Sequence, residues 1–589
     1  MSGETGAFLG VEASASGKRW VKSEVDERAA QALAQRLEVP LLVAELLIAR
    51  GQTAESAPLF LSPKLKDFLP DPFRLQDMTK AATRFAEAVQ KGEQIAVFGD
   101  YDVDGGTSAA LLCRFADAVG SKLRLYIPDR SREGYGPNSP ALQKLKDEGA
   151  SLVVAVDCGT TAYEPLAHAA SIGLDMIVLD HHTAEPDLPP AVAVVNPNRL
   201  DDGLQGEIGH CAAVGITFLF IVAANKLLRA AGHYKTRAEP DLMSWLDLVA
   251  LGTVADVVPL TGLNRAFVCQ GLKVMQKRQN AGLVALADVS RMSKAADAFA
   301  LGFMFGPRVN AGGRVGEAHL GATLLSTNDN KLAADIARQL EAYNVARKEL
   351  EAGIQQEAND QLEGQTSHLA MAVGEGWHPG VIGIVAARLK ERFNRPSFVI
   401  AIDDKGIGKG SGRSIKGVDL GALTIAARQA GLLINGGGHA MAAGLTVARD
   451  RIPALRQFFE DRLDAILTPE ILQPKITIDG LISIGGASID LIQTLEQFAP
   501  FGSGNPEPRF AISNARVVSA DIVGTDHVRC IVCDDQQRRL KAIAFRVVGT
   551  PCGDLLLSRP QNIKVVGKLS RDTWNGSDTV QLQIDDVAA

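Results

Sequence analysis

Short apolar runs alternate with helical patterns between residues 94 and 196 of this 589-residue chain. The apolar runs are QIAVFG (94–99), LRLYIP (123–128), SLVVAV (151–156), LDMIVL (174–179) and AVAVVN (191–196). Stretches with helical caps or glycine stops separate the first four, at 107–120, 138–149 and 162–173. Strands that are apolar on both faces and alternate with helices are typical of a parallel sheet covered on both sides. The pattern predicts an α/β domain over residues 79–328.

The rest of the chain divides by pattern into four further segments. Residues 1–78 favour helices, and 329–365 hold a long charged amphipathic helix without proline, which we expect to be a rigid connector. Residues 366–470 are glycine-rich and predict mixed strands and helices. Residues 471–589 are rich in strand patterns, with a hairpin turn expected at WNG (574–576). They predict a small β-barrel.

Composition is that of an ordinary globular protein, with 46% hydrophobic residues, 22% charged residues and a net charge of −7. The longest apolar run, 211–224, is shorter than the ~20 residues of a membrane span, so it predicts a buried helix. We expect a cytoplasmic protein with no membrane contact. Seven scattered cysteines argue against a disulfide framework. Cys530 and Cys533 lie on one predicted strand and face opposite sides, which favours buried structural cysteine over a zinc or redox pair.

The loop after the first predicted strand, GDYDVDGG at 99–106, places Asp100, Asp102 and Asp104 at alternate positions. This spacing opens an EF-hand calcium loop, in which a glutamate at the twelfth position completes the coordination. Here the twelfth position is Leu111, which cannot ligate calcium, and the segment follows a predicted strand rather than a helix. A catalytic metal site and an acidic turn remain as interpretations.

Acidic and imidazole side chains also follow two other predicted strands. Asp157 comes after SLVVAV, and Asp180, His181 and His182 come after LDMIVL. The carboxyl ends of parallel strands meet at one edge of a sheet, which is where ligands bind in open α/β sheets. Any one of these residues alone is more typical of a cap or a turn, but together they favour a site.

Clustered carboxylates repel one another, and at least one takes up a proton unless a cation neutralises them. No lysine or arginine lies among Asp100, Asp102 and Asp104, so a divalent metal is the natural counter-charge. Carboxylates mixed with histidine suit Mn²⁺ or Mg²⁺, and the lack of cysteine ligands argues against structural zinc. Two such ions ~3.5–4 Å apart could share a carboxylate and clamp a phosphoryl group for in-line attack.

Nine motifs carry a resemblance to a known family. GDYDVDG (99–105), VDCG (156–159), DHH (180–182) and GTVADVVPL (252–260) resemble the motifs of the DHH phosphoesterase superfamily. GPRVNAGGR (306–314), GWHPGVIGIVAARL (376–389), GKGSGRS (408–414) and GGGHAMAAG (436–444) are similar to its bacterial exonucleases specific for single-stranded DNA. FAPFGSGNPEPRF (498–510) resembles the entry to their OB-type domain.

The resemblance runs in order from about residue 80 to the end of the chain. It implies an α/β architecture: a parallel-sheet DHH domain (79–328) joined by a long helix (329–365) to a mixed α/β DHHA1 domain (366–470). An OB-like β-barrel over 471–589 would hold nucleic acid, since OB folds pair a basic groove with stacking aromatics. Cations at 538–541 and at Lys564, Lys568 and Arg571, with Trp574, either form a binding patch or a solvated face.

The resemblance also implies the metal site. Its ligands would be Asp102, Asp104, Asp157, His181 and Asp256, with Asp157 bridging two divalent ions, Mn²⁺ or Mg²⁺. Asp256 enters this set through the resemblance alone, because a lone aspartate after an apolar helix is normally a cap. The implied catalytic group is Asp157, His181 and His182. His182 is an outer residue, a helper near the leaving oxygen, or a hydrogen-bonding support for His181.

One position departs from the superfamily pattern. Its members often carry a histidine four residues before the carboxylate pair, where this sequence has Phe98. Asp100 is our candidate for the vacant coordination position, which leaves one of the two metal sites open.

Further residues are implied to bind substrate. GKGSGRS offers Lys409, two hydroxyls, Arg413 and backbone amides, which suits a phosphate-holding loop but also a plain turn. By the resemblance, Ser411 and Arg413 hold a 5′-terminal phosphate with help from Arg130, near the metals, so that one nucleotide is released at a time. Arg308, Asn310, Arg314 and His439 are implied to line the path of the nucleotides.

The leading hypothesis is a two-metal exonuclease that degrades single-stranded DNA from its 5′ end in DNA repair and recombination. Polarity and strand preference come from the resemblance, as do a single-strand-binding protein and a helicase as partners, and we expect a monomer. The alternatives are a phosphodiesterase acting on short oligonucleotides or cyclic dinucleotides, and a non-catalytic DNA-binding scaffold. Loss of motif carboxylates would mark the scaffold, and this sequence retains them.

Overall fold

The computed structural model describes residues 6–130, 132–572 and 578–589, so the hairpin turn expected at 574–576 lies outside the described residues. The helices are α1 Glu27–Leu37, α2 Leu41–Ala49, α3 Ala57–Leu61, α4 Leu65–Phe68, α5 Met78–Lys91, α6 Val103–Ala118, α7 Ser139–Asp147, α8 Tyr163–Ser171, α9 Gln205–Ile208, α10 Ala213–Ala230, α11 Leu246–Ala255, α12 Gly262–Met275, α13 Ala281–Val289, α14 Gly306–Val315, α15 Leu320–Ser326, α16 Asn330–Leu362, α17 Ile382–Phe393, α18 Leu420–Gln429, α19 Ile452–Ile466, α20 Pro469–Leu472, α21 Ile489–Glu496 and α22 Pro551–Leu557. The strands are β1 Arg19–Lys22, β2 Ile95–Gly99, β3 Leu123–Tyr126, β4 Leu152–Val156, β5 Asp175–Leu179, β6 Ala193–Val195, β7 Ala370–Glu375, β8 Ser397–Ile402, β9 Ile407–Arg413, β10 Asn435–His439, β11 Ala442–Ala448, β12 Lys475–Ile478, β13 Gly480–Leu481, β14 Phe510–Val523, β15 His527–Cys533, β16 Arg539–Ala544, β17 Ile563–Asp572 and β18 Thr579–Ala588.

The described chain folds as two compact units. The parallel-sheet unit consists of Pro58–Lys348 together with the short segment Pro500–Pro506. The barrel unit consists of the chain up to Ala57, Glu349–Ala499 and Glu507–Ala589. The long helix α16 therefore begins in one unit and ends in the other.

The parallel-sheet unit is built on five strands in the order β3-β2-β4-β5-β6, all parallel. Every residue of β2 and β4 is buried, as their continuous apolar sequence predicts. One face packs against α7 and α8, and the other against α5, α6, α10 and α11. The α/β prediction for this part of the chain is confirmed.

Helix α10 contains the apolar run that predicts a buried helix. Its 18 residues would suit a membrane span by length and composition, and 72% of them are buried inside the protein. The neighbouring helix α6 begins at Val103, four residues earlier than the pattern predicts. The reason is Asp102, whose Oδ1 accepts hydrogen bonds from the backbone amides of Asp104 and Gly105 and caps the helix.

The barrel unit contains a five-stranded sheet in the order β10-β11-β9-β8-β7. Its strand β9 covers most of GKGSGRS, so the interpretation of this segment as a flexible loop is wrong. Gly408, Gly410 and Gly412 are buried on one face, where a Cβ would lie 2.5–2.8 Å from side chains of β8 and β11. Glycine occupies every second position here because the sheet core has no room for a Cβ. The strand therefore lacks the alternating hydrophobic residues by which a strand is predicted.

The C-terminal strands form a barrel in the order β13-β14-β15-β16-β18-β17, closed by pairing of β14 with β17. This confirms the OB-like barrel. A strand that sequence patterns miss, β1, pairs in parallel with β12. Its Trp20 is fully buried and donates from Nε1 to Asp586 Oδ2 at 2.9 Å, which ties the N-terminal residues to the end of the barrel.

Candidate metal centre

The loop after β2 turns sharply so that its aspartates gather at the sheet edge. Gly105 permits the turn, because a Cβ there would lie 2.5 Å from the carbonyl oxygen of Asp100. Asp100 is buried, and its Oδ1 has no hydrogen-bond partner among the described residues. Ligand atoms of Asp100, Asp102 and Asp157 lie within 4.8 Å of one another. These three carboxylates form the first group of the site.

Asp104 anchors the site to helix α10. Its Oδ2 accepts from the backbone amide of Ala213 at 2.6 Å, and its Oδ1 accepts from that of Val214 at 2.9 Å. These are the first amides of α10, which have no partner inside the helix and favour negative charge. The carboxylate of Asp104 is therefore fixed in position by the end of a long buried helix.

Asp157 follows β4 in a left-handed conformation, with φ of 60°. Its amide donates to Leu179 O, and its carbonyl accepts from the hydroxyl of Tyr135 at 3.1 Å. A non-glycine residue in this region is uncommon and is held there by its surroundings. Tyr135 is a residue that sequence reasoning missed, since a lone tyrosine in a loop carries no signal.

His181 is oriented so that its Nε2 faces carboxylates. Its Nδ1 lies 3.0 Å from Cys211 O, and because a carbonyl only accepts, Nδ1 carries the proton. The Nε2 atom then lies 3.2 Å from Asp157 Oδ1, 3.8 Å from Asp256 Oδ2 and 3.9 Å from Asp104 Oδ2. A lone pair facing three carboxylates is stabilised by a shared proton or by a cation, and the mixture of imidazole and carboxylate donors fits a metal ion.

Asp256 completes the second group at the C-terminal end of α11. Ligand atoms of Asp104, His181 and Asp256 lie within 4.8 Å of one another, while Asp157 contacts His181 and belongs to the first group. Val257, which follows Asp256, is exposed and has φ of 60°, a strained conformation for a β-branched side chain. The structure thus brings together all six residues that the sequence proposes as ligands.

Electrostatics within the cluster point to the same conclusion. Burial, followed by the charges of neighbouring aspartates, raises the pKa of Asp100, Asp104 and Asp157 well above the ordinary value. Burial and the charge of Asp102 raise the pKa of Asp256 to about 7. Without cations the cluster holds protons instead, which is the behaviour of a site built to bind positive charge.

Asp180 serves His182 rather than the cluster. Its Oδ1 accepts from the backbone amides of His181 and His182 and lies 2.7 Å from His182 Nδ1. Burial acts to raise the pKa of Asp180, but the hydrogen bond and charge of His182 outweigh it and lower the pKa. Burial acts in the opposite sense on His182, yet Asp180 raises its pKa to about 9. The imidazolium is thereby fixed 4.0 Å from Asp157 Oδ1.

Phe98 lies away from the cluster. It is fully buried in the sheet core and stacks on Tyr126 with ring centroids 5.3 Å apart. It therefore supplies packing where superfamily members often carry a metal-binding histidine.

Four predicted substrate residues belong to the parallel-sheet unit. Arg130 lies over the ring of Tyr101, 5.1 Å from its centroid, beside the acidic loop. Asn310 and Arg314 lie on α14, where a Cβ on Gly313 would be 2.7 Å from Tyr101 O. Arg308, on the same helix, is engaged by Glu341 on α16, with Nε 2.5 Å from Oε2.

The other predicted substrate residues belong to the barrel unit. Lys409, Ser411 and Arg413 lie on the face of β9 opposite the buried glycines, and Arg413 Nη1 donates to Ser411 Oγ at 3.1 Å. A Cβ on Gly383 would lie 3.0 Å from Ser411 Oγ and 3.1 Å from Arg413 Nη2. Gly383 is in the first turn of α17, which has no side-chain cap. A hydroxyl, a guanidinium and a helix N-terminus therefore meet here, a combination that suits phosphate. His439 is exposed at the end of β10.

The cations of the C-terminal barrel are largely paired. The pairs are Arg538 with Asp534 at 2.7 Å, Lys541 with Asp572 at 3.1 Å, Lys568 with Glu507 at 3.2 Å and Arg571 with Glu496 at 3.5 Å. This favours the interpretation of a solvated, ion-paired face. Trp574 lies outside the described residues.

Comparisons with known proteins agree with this architecture. Residues 94–253 match the DHH family, N-terminal domain; residues 365–465 match the DHHA1 domain, and residues 478–586 match the RecJ OB domain. The parallel sheet, the aspartate–histidine cluster at its edge and these matches define a phosphoesterase of the DHH class. Single-stranded-DNA-specific exonuclease RecJ of Escherichia coli is 35% identical, over 93% of this chain and 96% of that one. The chain belongs to the RecJ family.

Two further relatives extend the comparison. The RecJ exonuclease of Bacillus subtilis is 35% identical over 98% of this chain and 71% of its own length. The crystal structure of Thermus thermophilus RecJ in complex with Mn²⁺ aligns with a TM-score of 0.81 at 29% identity. That alignment covers 97% of this chain and 79% of the Thermus chain.

Proposed function

We propose that this chain is a metal-dependent exonuclease that hydrolyses single-stranded DNA from its 5′ end to mononucleotides. Its relatives named above are single-stranded-DNA-specific exonucleases, and a Thermus structure of the family holds Mn²⁺. The observation that carries the proposal is the Nε2 of His181, which faces Asp157, Asp256 and Asp104 with its other nitrogen committed to Cys211 O. The OB barrel supports a single strand as substrate.

Two divalent cations, Mn²⁺ or Mg²⁺, fit the donor set. One group of proposed ligands is Asp100, Asp102 and Asp157, and the other is Asp104, His181 and Asp256. Asp157 is the proposed bridge, because it belongs to the first group and contacts His181 of the second. We also propose that Asp100, with its unpartnered buried oxygen, takes the place of the histidine that Phe98 replaces. When bound, the cations would acidify a water molecule and neutralise charge on the phosphodiester.

The chain holds this arrangement ready. Asp104 is fixed by two amides of α10, Asp102 by its capping bonds in α6, and His181 by Cys211 O. Ligands oriented in advance lose little freedom when charge develops in the transition state, so more of the binding energy goes to catalysis.

His182 is proposed as the group that donates a proton or hydrogen bond to the leaving oxygen. Its Nδ1 is committed to Asp180, which leaves Nε2 for the reaction. The alternative is that His182 only holds His181 in position through hydrogen bonding. The variant His182→Gln separates these two roles. A leaving-group role predicts a fall in kcat with Mn²⁺ affinity unchanged, whereas a supportive role predicts weaker Mn²⁺ binding.

Ser411 and Arg413 are proposed to bind the 5′-terminal phosphate, together with the first turn of α17. Arg130, Asn310, Arg314, Lys409 and His439 are proposed to contact the nucleotides. Arg308 is proposed to act indirectly, because its ion pair with Glu341 fixes α14, which carries Asn310 and Arg314.

Wider roles also belong to the proposal. We propose action in DNA repair and recombination in the cytoplasm, as a monomer, with a single-strand-binding protein and a helicase as partners. Domain boundaries at 78/79, 328/329, 365/366 and 470/471 are proposed as well. The DHHA1 match, which begins at residue 365, supports the third boundary, and the other family matches begin or end at residues 94, 253, 465 and 478. Light scattering of the purified chain tests the monomer.

The test of the activity uses protein stripped of metal and then supplied with Mn²⁺ or Mg²⁺. A 5′-phosphorylated single strand should be converted to mononucleotides, while a blunt duplex of the same sequence stays intact. Intact long strands beside rapid cleavage of dinucleotides would favour the short-oligonucleotide phosphodiesterase instead. Retention of full activity in EDTA would contradict the metal centre.

A further inference from the structure

The segment 500–506 is the one part of FAPFGSGNPEPRF that belongs to the parallel-sheet unit, although the residues on both sides belong to the barrel unit. It lies before the first long barrel strand, which begins at Phe510. The segment therefore not only leads into the barrel but also packs within the parallel-sheet unit.

The segment is a closed turn. The amide of Gly502 donates to Asn505 O at 2.9 Å, and the amide of Asn505 donates to Gly502 O at 3.1 Å. The Asn505 side chain is fully buried, and its Nδ2 donates to Pro500 O at 2.9 Å. These three hydrogen bonds inside the segment make it a closed turn rather than a loose linker.

This turn packs directly on Pro259 and Leu260. The amide of Leu260 donates to Ser503 O at 2.8 Å. A Cβ on Gly504 would lie 2.9 Å from Pro259 Cβ, and one on Gly502 would lie 2.8 Å from Leu260 Cδ1. Gly504 also has φ of +71°, so both its backbone and its contact favour glycine.

Pro259 and Leu260 end the short irregular stretch that begins at Asp256. Helix α11 stops at Ala255, and the strained Val257 follows the aspartate. A residue in such a conformation persists only where its surroundings hold both ends of the segment. The helix holds one end, and the hydrogen bond to Ser503 O holds the other.

Buried polar side chains connect the same stretch to the support of His181. Asn264, fully buried, donates from Nδ2 to Pro259 O at 3.0 Å and to His210 O at 2.8 Å. His210 precedes Cys211, whose carbonyl accepts from His181. Arg265, also buried, donates to Phe60 O at 2.8 Å and to Pro500 O at 3.4 Å. The turn, the stretch after Asp256 and the His181 support thus form one network.

We propose that residues 500–506, here called the clip, position Asp256 as a metal ligand, with Ser503 and Gly504 as the positioning residues. This inference rests on the proposed function, since it concerns the same metal centre. Partners that orient a metal ligand from outside its coordination sphere typically affect metal affinity or activity by about 10–100-fold. The clip acts in this way through the Leu260 amide and Pro259, and touches neither metal nor DNA.

The test compares Gly504→Ala with Gly524→Ala. Gly524 has φ of +66° and open space around a Cβ, so its variant carries the same backbone strain without a contact. Mn²⁺ affinity is measured by calorimetry, and exchange of the Leu260 amide by mass spectrometry of metal-free protein. For Gly504→Ala we expect about 10-fold weaker Mn²⁺ binding, faster Leu260 exchange and about 10-fold lower kcat, with KM for single strands within twofold.

Gly502→Ala is a milder second variant, because its Cβ meets the end of a flexible leucine side chain at an ordinary backbone conformation. It should fold if Gly504→Ala does not, and should weaken Mn²⁺ binding in the same direction. If both clip variants match Gly524→Ala in Mn²⁺ affinity and Leu260 exchange, the inference is overturned. Failure of the wild-type chain to bind Mn²⁺ would instead overturn the proposed function, so the two failures are distinguishable.

Discussion

The Nε2 atom of His181 lies 3.2 Å from Oδ1 of Asp157, although the proton of this imidazole is on the other nitrogen. Burial, followed by the charge of His182, lowers the pKa of His181, so protonation of Nε2 does not resolve the contact. Two lone pairs facing each other at this distance repel, so the contact needs either a proton on Asp157, whose pKa burial raises, or a cation in place of that proton. This relationship is why we propose a metal centre here rather than an acidic turn.

Asp157→Asn should abolish turnover without unfolding the protein. Asparagine tolerates the left-handed backbone at this position, so the substitution removes the charge and keeps the conformation. We expect a loss of several kcal/mol of transition-state stabilisation, about 1,000-fold in kcat. The metal-free variant should also melt higher than wild type, because one repelling carboxylate is gone. Nuclease assays and thermal melts with and without Mn²⁺ measure both effects.

Asp117→Asn, an exposed change on α6, is the matched control and should leave kcat and the Mn²⁺-dependent rise in Tm at wild-type values. Full activity of Asp157→Asn would mean that the metal assignment is wrong.

Metal affinity should depend on pH. Because the pKa of Asp256 is raised to about 7 in the metal-free site, this carboxyl is protonated below that pH and must release its proton when a cation binds. Mn²⁺ affinity should therefore rise as pH rises through about 7. Calorimetry in buffers of different ionisation enthalpy measures the protons released, and a pH-independent affinity with no proton release would refute this account.

Arg413→Met should remove the preference for a 5′-phosphorylated strand. The guanidinium, Ser411 and the first turn of α17 form the proposed phosphate site, and a charge-assisted hydrogen bond is worth about 1.5–3 kcal/mol. The ratio of kcat/KM for 5′-phosphate over 5′-hydroxyl strands should fall by about 10–100-fold. Lys405→Met, an exposed lysine before β9, should keep the wild-type ratio. An unchanged ratio in Arg413→Met would place the phosphate elsewhere.

Asp247→Asn should stabilise the protein at neutral and alkaline pH. Burial raises the pKa of Asp247 to about 6 in the folded chain, above the ordinary 3.8, so the folded state loses stability as pH rises through this window. Removing the charge should raise the free energy of unfolding by up to about 3 kcal/mol above pH 6 and should leave it unchanged below about pH 4. Melting curves from pH 4 to pH 8 measure the difference. Asp288→Asn, on the exposed end of α13, is the control, and parallel curves for wild type and Asp247→Asn would contradict the assignment.

The sheet and most of its ligands are predictable from sequence, because buried parallel strands are continuously apolar and their ends carry the chemistry. Asp102, Asp157 and His181 each follow such a strand at the sheet edge. Asp256 is different, since it caps a helix that is distant in sequence. Tertiary packing of α11 brings Asp256 into the cluster, and a local sequence pattern cannot predict that packing.

Other features stay hidden for identifiable reasons. The sequence of strand β9 predicts a loop because it is rich in glycine. These glycines are present because side chains of β8 and β11 leave no room for a Cβ, and that crowding exists only in the folded sheet. Fixation of Asp104 by the first amides of α10 joins residues more than 100 positions apart. The role of the clip likewise cannot be predicted from sequence. Residues 500–506 belong to the parallel-sheet unit, although the residues before and after them belong to the barrel unit.

The most direct test of the central claim follows both ends of one DNA strand. A 5′-phosphorylated single strand of about 50 nucleotides, labelled at its 5′ end in one sample and at its 3′ end in another, is incubated with the full chain and Mn²⁺. We predict that the 5′ label appears at once as a mononucleotide, while the 3′ label passes through a ladder of shortening strands. Release of the 3′ label first, or internal fragments that retain the 5′ label, would contradict a 5′-to-3′ exonuclease built on this site.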